Sequence, residues 1–408
     1  MTTRLVVVGA SLAGLRAVEA ARKTGFTGSI TLIGAEDHLP YDRPPLSKAF
    51  LDAGADRQSE LAYRDLAGLQ ELDVELVLGA PATGLDTEQR TVAVDGRISV
   101  GYDSVVLATG ARARTLPGTE ALAGVHTLRT LDDARAVRSA LDAGARTVVI
   151  GAGFIGSEVA SGARKRGLDV TVVEALPTPL VRAIGEQMGV ACSALHAANG
   201  TDLRCGVAVE AIEGESAVER VRLSDGTVLP ADLVVVGVGA SPATDWLDGS
   251  GLQLDNGIVC DSTLWTGVPG VYAAGDVCRW RNPLFDRTMR LEHWTSAAEQ
   301  GALAARNALD PDAATPYSTV PYFWSDWYDT RIQFVGVPDA DEIEVIGDVG
   351  SGRFIALYRG GDRLIGALAL NRQADIMKYR GLIMKETPWT AALDFARARE
   401  AKRSQPVR

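Results

Sequence analysis

The chain has 408 residues, 46% hydrophobic and 23% charged, with a formal net charge of −11. That length supports two or three domains with separate cores, and the acidic balance excludes general nucleic-acid binding. No run of about 18 apolar residues occurs, so no membrane span is expected; the short lead into the first apolar run leaves no room for a signal peptide, which makes the cytoplasm the expected compartment.

In chain order, strand-like and helix-like segments alternate through most of the sequence, which predicts an α/β protein built mainly on parallel sheets. Leu5–Val8 reads as a strand, Gly14–Thr24 as a helix and Ser29–Ile33 as the next strand. A loop rich in proline and charge follows, from His38 to Lys48. Val74–Leu78, Thr91–Val94 and Ser104–Ala108 are further strands. A second unit begins at Arg146: a strand, a glycine turn, a helix over Ser157–Arg166 and a strand over Asp169–Val173. Asp232–Gly237 is another strand. From about Val320 the composition changes to clustered aromatics and β-like stretches, which predicts a third domain of α+β type. Ala401–Arg408 reads as a loose tail. The four cysteines, Cys192, Cys205, Cys260 and Cys278, include no close pair. That spacing argues against a redox disulfide, a zinc ribbon or an iron–sulfur cluster, and buried thiols are expected. No metal site is expected.

One device occurs twice. Arg4–Val8 runs into Gly9-x-Ser11-x-x-Gly14, and Thr147–Ile150 runs into Gly151-x-Gly153-x-x-Gly156. A short apolar strand, a tight glycine turn and an opening helix point backbone N–H groups and a helix N-terminus at a pyrophosphate. Serine at the second position of the first copy departs from the bare pattern but is small enough for the turn. Glu36 lies 22 residues beyond Gly14 and Glu174 lies 18 beyond Gly156, each at the end of the following strand. A carboxylate there accepts ribose hydroxyl hydrogen bonds and repels a 2′-phosphate, so the second site favours NAD(H) over NADP(H). Arg164, Lys165 and Arg166 read as a solvated helix end. Two dinucleotides in one chain suggest a redox enzyme.

Two further segments, Ser104–Arg112 with Ala108-Thr109-Gly110 and Gly270–Val277 with Gly275-Asp276, carry a resemblance. The chain resembles the two-dinucleotide flavoprotein reductases of the glutathione-reductase structural class. Tyr41-DRPPLSK, Gly151-AGFIGSE, Glu292-HW and Tyr322-FWSD make it more closely similar to the NADH-dependent, FAD-containing ferredoxin reductases of bacterial oxygenase systems, the putidaredoxin reductase-like family. The resemblance spans essentially the whole chain; it departs where Trp327 follows Ser325-Asp326 in place of the family's usual glutamine.

The resemblance implies two Rossmann-like domains plus a C-terminal α+β interface domain. FAD would occupy 1–115 and 245–320, NAD 116–244, and the interface domain 321–408. It implies that FAD is held by Gly9, Ser11, Ala13, Gly14, Glu36, Arg43, Pro45, Lys48, Ala108, Thr109, Gly110, Gly275, Asp276, Glu292, His293, Trp294 and Trp324. NADH is held by Gly151, Gly153, Phe154, Ile155, Gly156, Glu158, Glu174 and Gly239. Lys48 and Glu158 are implied to meet beside the flavin N5, where they position the nicotinamide. Trp324 leans toward a flavin contact, whereas Trp327, Trp265 and Trp389 are expected to pack. No cysteine precedes Cys192, so dithiol relay and sulfenate chemistry lack their nucleophile.

Arg279, Arg281, Arg287 and Arg290 cluster against one aspartate, Asp286, and 353–385 adds seven basic residues against Asp362 and Asp375. A basic rim of that kind would steer an acidic iron–sulfur ferredoxin. The expected function is electron transfer from NADH through FAD to that ferredoxin, which feeds an oxygenase, by a monomer or weak dimer. The alternatives are another acceptor (rubredoxin, a quinone or oxygen) or a redox sensor resembling apoptosis-inducing factor.

Overall fold

The computed structural model describes residues 2–52, 61–119 and 121–403. Contacts divide the chain into two units. The first comprises Met1–Asp42, Arg57–Arg112 and Ala240–Thr319; the second comprises Arg43–Asp56, Ala113–Gly239 and Val320–Arg408.

The first unit is built on a five-stranded sheet in the order Val271–Ala273, Ser104–Leu107, Arg4–Val8, Ser29–Ile33, Val74–Val77. All four pairings are parallel. Its inner strands are buried almost end to end, which is why they read as unbroken apolar runs rather than alternating ones. The helix Leu12–Lys23 leaves the first strand through the glycine turn. The helix Trp294–Leu309 lies against it at Gly301, where a Cβ would fall 2.0 Å from the Ala13 carbonyl oxygen. Only glycine allows that approach.

The second unit repeats the plan. Asp202–Cys205, Val170–Glu174, Thr147–Ile150, Leu233–Val236 and Val125–His126 form a sheet in that order, parallel throughout. The helix Phe154–Lys165 leaves the third of these through the second glycine turn. The same unit holds the C-terminal α+β part. There a five-stranded antiparallel sheet runs Tyr322–Trp327, Thr330–Gly336, Arg363–Leu370, Arg353–Gly360, Glu342–Asp348. Two helices follow, Gln373–Met384 and Trp389–Arg403.

Several expectations need correction. Parallel pairing belongs mainly to the two nucleotide-type cores, with one further parallel strand pair, Ile258–Cys260 with Cys278–Asn282, among the described residues. Three-stranded antiparallel sheets over 82–101 and 209–230 and the C-terminal sheet lie outside those cores. The hairpin between Thr91–Val94 and Ile98–Gly101 turns on Asp95-Gly96, both at positive φ, a turn chemistry that marks hairpins locally. Both glycine-turn helices begin two or three residues earlier than read, at Leu12 and Phe154. The strand of the second unit extends through Glu174 itself. Ala401–Arg403 continue the last helix, while 404–408 lie outside the described residues.

That last helix is held by a buried charge. The Asp375 carboxylate is fully buried and meets Arg372 at 3.0 Å, Arg403 at 2.8 Å and Arg399 at 2.5 Å, and Arg372 also reaches Glu400 at 2.9 Å. Burial alone would raise the Asp375 pKa; hydrogen bonds from Arg399 and Arg372 and the charge of Arg403 outweigh it and hold the pKa below the usual carboxylate range. Asp375→Asn should therefore cost about 3–5 kcal/mol, because it leaves a cluster of facing guanidinium groups. Denaturant unfolding of the variant against the parent checks this.

Burial has the opposite effect on histidines, and it lowers His196 and His293 furthest. His196, between Ser157 and Tyr328, is lowered to about 4; His293 is lowered to about 4 by burial against an opposing pull from Asp276. A depressed histidine contributes stability that is complete above its unfolded pKa and is lost as pH falls towards the folded one. Unfolding free energy should thus fall by about 3 kcal/mol per group between about pH 6.5 and 4. His196→Gln should remove one group's share of that slope.

Candidate functional site

The first glycine turn is fixed by backbone meeting backbone. Gly9 has φ +122°, and a Cβ on it would lie 2.1 Å from the Ala108 carbonyl oxygen; one on Gly14 would lie 1.9 Å from the Gly9 oxygen. Gly9 N donates to the Ile33 oxygen and Ala108 N to the Val8 oxygen, each at 2.7 Å. Ala108, Thr109 and Gly110 thus border the turn, and the Thr109 hydroxyl donates to the Ala243 oxygen at 3.0 Å. Ser11 and Ala13 stand at the entry to the helix. Glu36 stands just past the second strand, where its Oε2 accepts from the Tyr41 hydroxyl at 2.6 Å. Gly275, at φ +77°, donates its N–H to Gln300 Oε1 at 2.8 Å, and its would-be Cβ points at Ala13 3.2 Å away. Asp276 is thereby carried to the helix N-terminus of the turn.

The second turn repeats this geometry. Gly151 has φ +99°, and its Cβ would fall 2.4 Å from the Gly237 oxygen; that of Gly156 would fall 2.2 Å from the Gly151 oxygen. At Gly153 a Cβ would meet nothing nearer than 3.9 Å, which accounts for the tolerance of Ser11 at the matching place in the first turn. Gly153 caps the helix with no side chain of its own, and Phe154 and Ile155 open its first turn. The Glu174 carboxylate accepts from Ala152 N at 3.0 Å and from Leu176 N at 2.9 Å. It is anchored on the turn with lone pairs to spare for ribose hydroxyls. Gly239 accepts from Arg114 N at 3.0 Å through its carbonyl. The two turns fit nucleotide diphosphates: backbone lies bare where a side chain would block it, a helix N-terminus follows, and a carboxylate waits at the neighbouring strand end.

Lys48 and Glu158 meet. Lys48 Nζ lies 2.9 Å from Glu158 Oε1, with the glutamate only 3% exposed. Two 3₁₀ turns, Pro44–Ser47 and Ala49–Leu51, flank the lysine and present it to the helix Phe154–Lys165. Pro45 lies in the first of them; Arg43 caps it and donates to the Arg129 oxygen at 2.8 Å. The Ser47 hydroxyl donates to Glu158 Oε2 and the Ser325 hydroxyl to Oε1. Both serines lie in segments quoted for the resemblance, Tyr41-DRPPLSK and Tyr322-FWSD, but neither was assigned a role, because the contacts with Glu158 join segments distant in the chain. Trp327 is fully buried and donates to Ser325 Oγ at 2.9 Å. Trp324 stacks on Tyr322, with ring centroids 5.8 Å apart.

Trp294 opens its helix after His293, and its indole N–H is shared by Asp42 Oδ1 at 2.8 Å and the Tyr63 hydroxyl at 3.0 Å. Tyr63 donates in turn to Asp42 at 2.6 Å, and burial and then the Asp42 contact push its phenol pKa well up. Asp42 and Tyr63 are further residues that sequence reasoning missed.

Other placements correct the sequence reading. Arg164 and Arg166 are not a solvated helix end. Arg164 donates to the Leu168 and Asn199 oxygens, and Arg166, 6% exposed, pairs with Asp142 at 2.7 Å. The arginine cluster is largely paired with acids, two of the three from outside its own stretch. Arg279 pairs with Asp255 and Arg281 with Asp286, and Arg290 reaches Glu292 at 2.8 Å and the Asp276 oxygen at 3.0 Å. Arg359 and Arg363 likewise meet Glu342 and Glu386. Cys192, Cys260 and Cys278 are buried free thiols, and Cys205 is only half-buried. Trp265 is 37% exposed rather than packed away. Among the described residues no helix is long and apolar enough to cross a membrane.

Known proteins share this arrangement. The pyridine nucleotide-disulphide oxidoreductase family matches residues 3–301, and a reductase C-terminal domain matches residues 322–402. Rhodocoxin reductase of Rhodococcus erythropolis is 38% identical over 389 residues, 95% of this chain and 90% of its own. The anthranilate 1,2-dioxygenase system ferredoxin–NAD(+) reductase component of Burkholderia cepacia is 38% identical over 381 residues, 93% of each chain. The crystal structure of the covalent putidaredoxin reductase–putidaredoxin complex superposes with a TM-score of 0.90 at 33% identity, covering 95% of this chain and 94% of that one. With two glycine-turn cores in one chain and a family match over most of its length, the chain belongs to the pyridine nucleotide-disulphide oxidoreductase family.

Proposed function

We propose that this protein is an NADH-dependent, FAD-containing ferredoxin reductase that supplies electrons to an oxygenase. The observation that carries the reading is the buried Lys48–Glu158 ion pair, in a chain with two nucleotide turns and no cysteine before Cys192. The named relatives, reductase components of oxygenase systems, support it. FAD, when bound, takes a hydride from NADH and releases its two electrons singly. The chain's own residues bind, orient and exclude water.

In this reading, residues 1–115 and 245–320 hold FAD, 116–244 hold NADH and 321–408 complete the protein. Gly9, Ser11 and Gly14 approach the FAD pyrophosphate and Glu36 its ribose, while Asp276 takes the polar chain between ring and phosphate. Gly151, Gly153 and Gly156 do the same for NADH, with Glu174 on the ribose. Hydride transfer needs no enzyme nucleophile but needs the nicotinamide held at a fixed place in a dry site. Lys48 and Glu158 supply that fixed, nearly water-free polar edge. The partner is a small iron–sulfur protein of acidic surface. Because most of the basic side chains already have acidic partners, docking relies on a limited residual positive field.

Stopped-flow reduction tests the reading. NADH should bleach the yellow protein much faster than NADPH, and added ferredoxin should reoxidise it rapidly; slow reoxidation would move the function to another acceptor. Glu174→Gln should narrow the NADH preference about tenfold, the worth of a charge-assisted hydrogen bond. Lys48→Met should slow the limiting bleaching rate about tenfold or more with FAD retained. Rising ionic strength should slow the ferredoxin step and leave the NADH step unchanged.

A further inference from the structure

We propose that Trp327 is a positioning residue for hydride transfer: its indole N–H fixes the Ser325 hydroxyl, which fixes Glu158 and through it Lys48. The inference rests on the role given above to the Lys48–Glu158 pair.

The direction of each hydrogen bond follows from donor chemistry. An indole N–H can only donate, and Trp327 Nε1 lies 2.9 Å from Ser325 Oγ. The serine oxygen therefore accepts from tryptophan, and its own proton is left for Glu158 Oε1, which it contacts. A carboxylate can only accept, so the sequence Trp327 to Ser325 to Glu158 has one arrangement. It ends on the oxygen that Lys48 holds at 2.9 Å. Ser47 takes the other oxygen. With both oxygens occupied and the side chain 3% exposed, Glu158 is held in one rotamer.

Trp327 is suited to be the fixed end. It is fully buried at the end of the strand Tyr322–Trp327, with ring centroids 5.1 Å from His196 and 6.3 Å from Phe154. His196 is itself held by Ser157 at 3.2 Å and by the Tyr328 hydroxyl at 2.8 Å. Tyr328 N donates to Ser161 Oγ at 2.5 Å. The indole cannot turn without breaking these contacts, whereas Ser325 alone could rotate its hydroxyl away. Chains of hydrogen bonds in a dry interior polarise one another, so loss of the far donor reaches the lysine.

The test uses the holoprotein labelled at indole nitrogen. Seven tryptophans give seven indole N–H resonances, and the one missing in Trp327→Phe is that of Trp327. Ser325→Ala should move this resonance upfield, Ser325→Thr should leave it near its original place, and Glu158→Gln should shift it although it does not touch the indole. In stopped flow, Trp327→Phe and Ser325→Ala should each lower the limiting rate of flavin bleaching by roughly three- to tenfold, with NADH affinity changed less than twofold. Ser325→Thr should recover the rate, and the double variant should be no slower than Ser325→Ala. An indole resonance unmoved in Ser325→Ala and Glu158→Gln, or rate losses that simply multiply, would overturn the proposal. If Trp327→Phe does not fold, the contrast between Ser325→Ala and Ser325→Thr decides. A full limiting rate in Lys48→Met would instead sink the role of the ion pair, while the indole spectra still decide the relay.

Discussion

Everything in this molecule hangs on backbone passing closer to backbone than any side chain permits. Gly9 against Ala108 and Gly151 against Gly237 are contacts that a single methyl group would break. They set where each helix leaves its strand, and hence where N–H groups are bare for a phosphate and where Glu36 and Glu174 stand. Gly301 against Ala13 extends the same constraint to the helix that carries Gln300, and so to Gly275 and Asp276. Function follows from sterics first and charge second.

Charge acts where the fold buries a carboxylate. A buried carboxylate is costly unless its oxygens are filled. Glu158 draws in Ser47, Lys48 and Ser325 from two distant segments, and the short segment Arg43–Asp56 groups with the second unit, not with the one that precedes it in sequence. Asp375 does the same for the last two helices, binding Arg372, Arg399 and Arg403. In both places one acid organises several segments. The difference is that Asp375 is saturated by arginines, whereas Glu158 is paired with a lysine that keeps 18% exposure.

The strongest elements were legible because their signals are local. Unbroken apolar runs marked the parallel cores, glycine spacing marked the turns, and Glu36 and Glu174 stand at the strand ends where they were expected. The antiparallel sheets were legible only in part: Asp95-Gly96 names its hairpin, but short half-polar strands such as Val209–Glu213 carry too little periodicity to stand out. Counting charges along the chain misled. Arg279 looks unopposed in sequence, yet Asp255, 24 residues away, folds against it, because opposite charges converge in space without regard to spacing.

The sequence by itself determined the two nucleotide turns, which depend on residue type at a short fixed spacing, and the absence of a cysteine before Cys192, while Lys48 and Glu158 were named only through the resemblance. Only the tertiary structure decided that Lys48 meets Glu158, that Ser47, Ser325 and Trp327 complete that site, and that Asp42 and Tyr63 hold Trp294. Those contacts join residues up to 252 positions apart, and the physical reason is that burial, which fixes both the cost and the partner of every polar group, is a property of the folded chain.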